Sequence, residues 1–119
     1  MLNVIDFSHA LIIDEPWISL ILSGEKTWEM RSKSTKIRGK IGLIKKGSGL
    51  IVGTAVLTDS LPSMTIDVLP TYNKHHQIPL DKAYLLAKWN TPWVLDAAIQ
   101  LEQPIPYIHK QGAVVWVKL

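Results

Sequence analysis

The sequence predicts an α+β fold, a small β-barrel with short flanking helices, and three observations carry that prediction. Short apolar runs rich in branched residues recur as HALIID, KIGLIKK, LIVGTAVLTDSL, PWVLDAAIQLEQ and GAVVWVKL, the pattern of an all-round sheet. Helical spacing is confined to DEPWISLILSG and to LDKAYLLAKWN, the latter read either as a helix from Asp81 over its first half or as a β segment. Gly42 and Gly53 fall inside strand-like runs, where a small barrel needs bulges or bends.

Taken in order, HALIID reads as the first strand. In DEPWISLILSG, Asp14 or Glu15 is placed to cap a helix, Pro16 suits its first turn, and Gly24 is placed to end it in a left-handed conformation. Trp17, Leu20 and Ile21 share one helical face, which Ile18 and Leu22 widen. TWEMR then leaves as a strand. Alternation puts Thr27, Glu29 and Arg31 on one side, Trp28 and Met30 on the other. KIGLIKK and LIVGTAVLTDSL pair as a hairpin through Lys46–Gly49. SMTIDVLPTYNKHHQIPL, with two prolines and mixed polarity, reads as a loop with a helical turn. A strand ended by Pro104 and Pro106, then a final strand in GAVVWVKL, completes the chain.

The 119 residues suit one domain spanning 1–119. No apolar run is long enough to span a bilayer, and MLNVIDFSHALIIDEPW has no basic leader ahead of its apolar stretch. No cysteine is present, which excludes disulfides and thiolate zinc sites and fits a reducing compartment. The expectation is a cytoplasmic protein with no membrane contact, no cofactor and no metal. His75 and His76 are adjacent, point apart in an extended chain and lack ligand spacing, so they read as loop histidines. KKGSG lacks the spacing and the helix of a phosphate loop.

Charge is unevenly placed. Lys26, Arg31, Lys33, Lys36, Arg38, Lys40, Lys45 and Lys46 sit within one stretch whose sole acid is Glu29, although the net charge is only +3. Such a block attracts phosphate-rich partners, or is a solvated loop offset by acids folded nearby.

Gly24-x-Lys26-x-x-Glu29-x-Arg31, directly after the EPWISLILSG helix, resembles the signature of the ASCH domain, a family related to the PUA fold. The resemblance extends to the hairpin KIGLIKKGSGLIVGTAVL and to the carboxy-terminal KWNTPWVLDAAIQLEQPIPYIHKQGAVVWVKL. It implies a PUA-like β-barrel with a cleft lined by the signature residues. It also implies a partner that is RNA, another single-stranded nucleic acid, or a nucleotide-like small molecule. Some members of the family are assigned amidohydrolase action on N4-acetylcytidine, and some ribonuclease action.

Residue chemistry bears on that choice. Arg31 is suited to hold a phosphate or carbonyl oxygen while Glu29 orients it, or the two form a structural ion pair. Lys26 is either a phosphate contact or, desolvated, a general base. Lys33, Lys36, Arg38 and Lys40 are placed to draw in a phosphate backbone. The resemblance implies, for the amidohydrolases, a threonine three positions after the lysine. Here that position is Glu29, and neither Glu102 nor Asp59 is singled out as the distant carboxylate. A ribonuclease would need an acid and a base such as Tyr84 and His109. Trp89, between Lys88 and Asn90, is either a base-stacking platform or core. Trp17, Trp28, Trp93 and Trp116 lie in apolar runs and read as core.

Overall fold

The computed structural model describes residues 5–119. The expectation of a leaderless amino terminus falls partly on residues 1–4 and lies outside the described residues. Strands β1 (His9–Ile13), β2 (Trp28–Arg31), β3 (Gly39–Lys45), β4 (Leu50–Ser60), β5 (Thr91–Pro106) and β6 (Trp116–Lys118) form one mixed sheet ordered β2-β5-β4-β3-β1-β6. The pair β1–β3 is parallel and every other pair antiparallel.

The sheet curls into a half-barrel with a few short helices against it, in keeping with the barrel-like α+β architecture expected from the sequence. Its outer strands, β2 and β6, are not paired with each other. Side chains bridge the opening instead. Arg31 on β2 donates from Nη2 to the Ile12 carbonyl of β1 at 2.7 Å. Trp93 of β5 stacks on Trp116 of β6 with centroids 5.7 Å apart.

Helix α1 (Trp17–Leu22) is shorter than its sequence pattern, and Pro16 stands one position before it. Pro16 at the N-cap position brings no side-chain cap bond, and Glu15 just before it accepts the Ser19 N–H at 3.2 Å. Ile18 and Ile21 are fully buried, packed with Leu11, Leu43 and Leu57 of the sheet, each worth about 1.5–3 kcal/mol of apolar burial. Gly24 leaves the helix at φ +85°, as the sequence predicts.

Local differences from expectation have physical causes. Gly42 is required by close packing rather than by a bulge, because a Cβ there would meet the Phe7 ring at 2.6 Å; the register shift falls one residue later, between Leu43 and Ile44. Gly53 does sit at an irregularity of the β4–β5 pairing, against the Ile99 carbonyl. Strand β5 runs through Pro104 to Pro106. Its second half lies beyond the four residues that β2 covers, so proline's missing donor is tolerated there. The final strand is confined to Trp116–Lys118. The middle segment holds a 3-10 turn at Leu69–Tyr72 and a short helix α2 (Asn73–His76). LDKAYLLA forms a 3-10 helix over Leu80–Ala87. Leu69 and Leu86 from these pieces bury with Trp28, Met30 and Ile78 in a satellite core.

Candidate functional site

The segment from Gly24 to Arg31 positions the site. The Lys26 amide returns to the Leu20 carbonyl of α1 at 3.0 Å, and the Thr27 amide to the His75 carbonyl at 3.0 Å. These two bonds hold Lys26 between the end of α1 and the end of α2. Its side chain is only 2% exposed. Nζ donates to the His76 carbonyl and lies 5.2 Å from the centroid of the Trp17 ring. Burial pushes the Lys26 pKa down to about 8, partly opposed by the charge of Glu29 and reinforced by that of Arg31.

Glu29 and Arg31 form a close, largely buried pair. Arg31 Nε and Nη2 both donate to Glu29 Oε2, at 3.1 and 2.7 Å. The guanidinium carbon lies 5.6 Å from the Trp93 ring centroid, in reach of a cation–π contact. Trp93 Nε1 in turn donates to the Lys33 carbonyl at 2.8 Å, which fixes the loop after β2. Arg31 Nη1 and Glu29 Oε1 have no hydrogen-bond partner among the described residues.

Lys26, Glu29 and Arg31 come together along a cleft of about 680 Å³, a size suited to a nucleotide-like ligand. Trp17, Trp89, Trp93 and Trp116 line it as well, together with Lys33 and Lys46. Trp89 is half-buried against the satellite core and carries Lys88 Nζ 4.7 Å from its ring centroid. Of the tryptophans read as core, Trp28 alone does not line the cleft; it packs under His75 with centroids 4.7 Å apart.

The rest of the basic block is elsewhere. Lys36, Arg38 and Lys40 do not line the cleft. Arg38 pairs with Asp59 at 3.7 Å and Lys40 with Asp6 at 2.9 Å, so folded-in acids offset part of the block. Lys46, on the cleft wall, lies 3.9 Å from Asp14. Thr27, expected on the Glu29 and Arg31 face, precedes β2 and has its hydroxyl 3.4 Å from His75 Nδ1. Tyr84, His109, Glu102 and Asp59 do not line the cleft.

Sequence reasoning missed His76. It is completely buried, not a loop histidine. Nε2 donates to the Leu69 carbonyl at 2.8 Å while Nδ1 accepts the Ile78 N–H at 2.9 Å, which fixes the neutral tautomer. Burial lowers its pKa, with Lys26 and His75 adding to the effect. No group of residues among those described could hold a metal ion. Nothing in the local sequence signals the role of His76, because its partners lie seven residues before it and two after it in an irregular segment.

A curled α+β half-barrel carrying a tryptophan-lined cleft with both basic and acidic side chains in its wall is the class that fold and site define together. The ASCH domain model matches residues 11–105, and the chain belongs to that family, one associated with RNA binding. Its fold is similar to the crystal structure of ASCH from Zymomonas mobilis, with a TM-score of 0.73 at 14% identity over 93% of this chain and 86% of that one. Serine-to-alanine and tyrosine-to-phenylalanine mutants of that protein match alike, each with a TM-score of 0.73 at 15% identity over 93% of this chain, and over 87% and 88% of theirs. No curated protein matches the sequence.

Proposed function

We propose that the chain binds RNA, or a nucleotide-like fragment of it, in the tryptophan-lined cleft. The observation that carries the reading is the meeting of a phosphate-seeking pair, Lys26 and Arg31, with several indole rings in one cavity of about 680 Å³. Bases stack on aromatic rings without regard to sequence, while cations take the phosphate. Lys33 and Lys46 at the wall extend the positive field; Lys36, Arg38 and Lys40 act at longer range on an approaching strand.

The test is binding of a short single-stranded RNA at controlled salt. Arg31→Ala is expected to weaken it about tenfold, a loss of about 1.4 kcal/mol, and Lys74→Ala, outside the block, less than twofold. The logarithm of the affinity falls with that of salt at a slope of about −2 if three phosphates are neutralised. Equal effects of the two substitutions would refute the cleft.

One observation favours a second reading, an enzyme acting on RNA or a modified nucleoside. A lysine near pKa 8 is a competent general base at neutral pH. Turnover of acetylcytidine or cleavage of single-stranded RNA, abolished in Lys26→Ala, would support it. Retained binding without turnover would reject it.

A further inference from the structure

Binding alone leaves the chemistry of the Lys26 amine unused. The residue is 2% exposed, yet it lines the cleft beside Trp17 and Ile78. Its hydrogen bond goes to a neutral carbonyl, that of His76, and no carboxylate lies in ion-pair contact with it among the described residues. A carbonyl accepts a hydrogen bond from a neutral amine as well as a stronger one from an ammonium, so loss of the proton keeps the contact. A lysine desolvated next to a second cation is activated as a nucleophile toward carbonyl carbon. Arg31 supplies that cation, and its charge adds to the desolvation of the amine, against the opposing charge of Glu29.

We infer that Lys26 captures aldehydes as a Schiff base, and that its substrate class is an aldehyde carried on an anionic, aromatic molecule of nucleotide size. The neutral amine attacks the aldehyde carbon, the carbonyl electron pair passes to oxygen, and that oxygen is protonated. The resulting carbinolamine loses water. Overall, the ammonium and the aldehyde give a protonated imine and one water, with no oxidant or reductant. Glu29, close enough to favour the charged form of Lys26, has Oε1 free to relay the proton. Arg31 Nη1 takes the anionic group, and an indole face takes the ring. The place given to the anion rests on the proposed binding function; the reactivity of the amine does not.

The experiment uses the full chain with substoichiometric pyridoxal 5′-phosphate, then borohydride, which delivers hydride to the imine carbon and fixes the adduct. Peptide mapping by mass spectrometry locates it. Modification is expected at Lys26 at least tenfold ahead of any surface lysine, and more slowly by about tenfold in Arg31→Gln. Pyridoxal, which lacks the phosphate, should label Lys26 more slowly than the phosphate ester does, and Arg31→Gln should slow it by less than the tenfold lost with the phosphate. Labels spread over surface lysines with Lys26 unmodified would overturn the inference, without need of any variant that must fold. If pyridoxal phosphate displaces RNA yet leaves Lys26 unmodified, the Schiff base falls and the binding function stands. If both aldehydes label Lys26 equally and Arg31→Gln slows both alike, capture stands and the anionic substrate class falls.

Discussion

Replacing Lys26 by methionine should alter how stability depends on pH, and the structure fixes both the sign and the size. The folded pKa of about 8 lies below the ordinary 10.5. Below about 8, both folded and unfolded chains carry the proton, and the folded chain bears the full burden of the buried charge. Between about 8 and 10.5 the unfolded state holds a proton that the folded state has lost, so stability rises with pH. The gap corresponds to about 3 kcal/mol, most of which is relieved between about pH 7 and pH 10. Methionine fills similar space with no charge and lacks this term. It also leaves the His76 carbonyl without its donor, but that loss does not vary with pH and cancels between the two conditions. Every other titrating group is common to both proteins and cancels to first order. Urea unfolding of wild type and Lys26→Met at the two pH values measures the difference. At an m-value of about 2 kcal/mol/M, the wild-type midpoint should gain about 1 M on the variant between them. A midpoint difference that stays constant with pH would show that Lys26 is not desolvated, and would remove the basis for its role as base or nucleophile.

Three further outcomes follow from named contacts. Gly53→Ala should destabilise by about 2–4 kcal/mol in urea unfolding, since the new Cβ would stand 2.7 Å from the Ile99 carbonyl, a backbone atom that cannot step aside. His76→Gln should cost about 1–3 kcal/mol near neutral pH, because Leu69 and Ile78 lose well-placed partners. With its pKa lowered from the usual 6.5, His76 makes the wild type lose stability as pH falls below 6.5, where the unfolded chain takes up the proton first. His76→Gln should flatten that acid limb in a thermal melt series. Trp89→Ala should weaken binding of single-stranded RNA about tenfold in fluorescence anisotropy, the loss of about one stacked base, and an unchanged affinity would place the ring in the wall alone.

Where local physics decides, the fold was legible. Glycine at position 24 has a single good explanation after an apolar helix, and φ +85° is the left-handed value that explanation requires. The hairpin at Lys46–Gly49 is equally local: Gly47 and Gly49 both take positive φ there. Closure was not legible, because it depends on whether β2 and β6 meet, and their separation is set by the curl of the four strands between them. The same limit governs the site. Spacing placed Glu29 and Arg31 on one side of a strand, and they pair directly. It could not show that Lys26 would be buried against the end of α2, fifty residues away in sequence. Nor could it show that acids at positions 6 and 59 would fold back onto Lys40 and Arg38. A run of like charge in sequence is therefore a weaker guide to which side chains meet in the fold than the three signature residues within it.

The geometry of Arg31 sets a bound on what it can contribute to binding. Its Nε and Nη2 edge is already given to Glu29 Oε2, and Nη2 also serves the Ile12 carbonyl across the open side of the sheet, so neither edge of the guanidinium has two nitrogens left for parallel bonds to a phosphate. A ligand oxygen thus meets one free nitrogen, Nη1, and a charge partly cancelled by its neighbour. One charge-assisted hydrogen bond of this kind is worth about 1.5–3 kcal/mol, enough for the tenfold effect expected of Arg31→Ala but not for tight binding. On the proposed function, the remaining affinity would come from Lys26, Lys33 and the indole faces that line the cleft, which would make stacking as important as charge. Because the same guanidinium ties β2 to β1, its loss also frees the mouth of the cleft to widen. Such widening lowers affinity for charged and uncharged ligands alike, whereas the lost hydrogen bond lowers it for anions only.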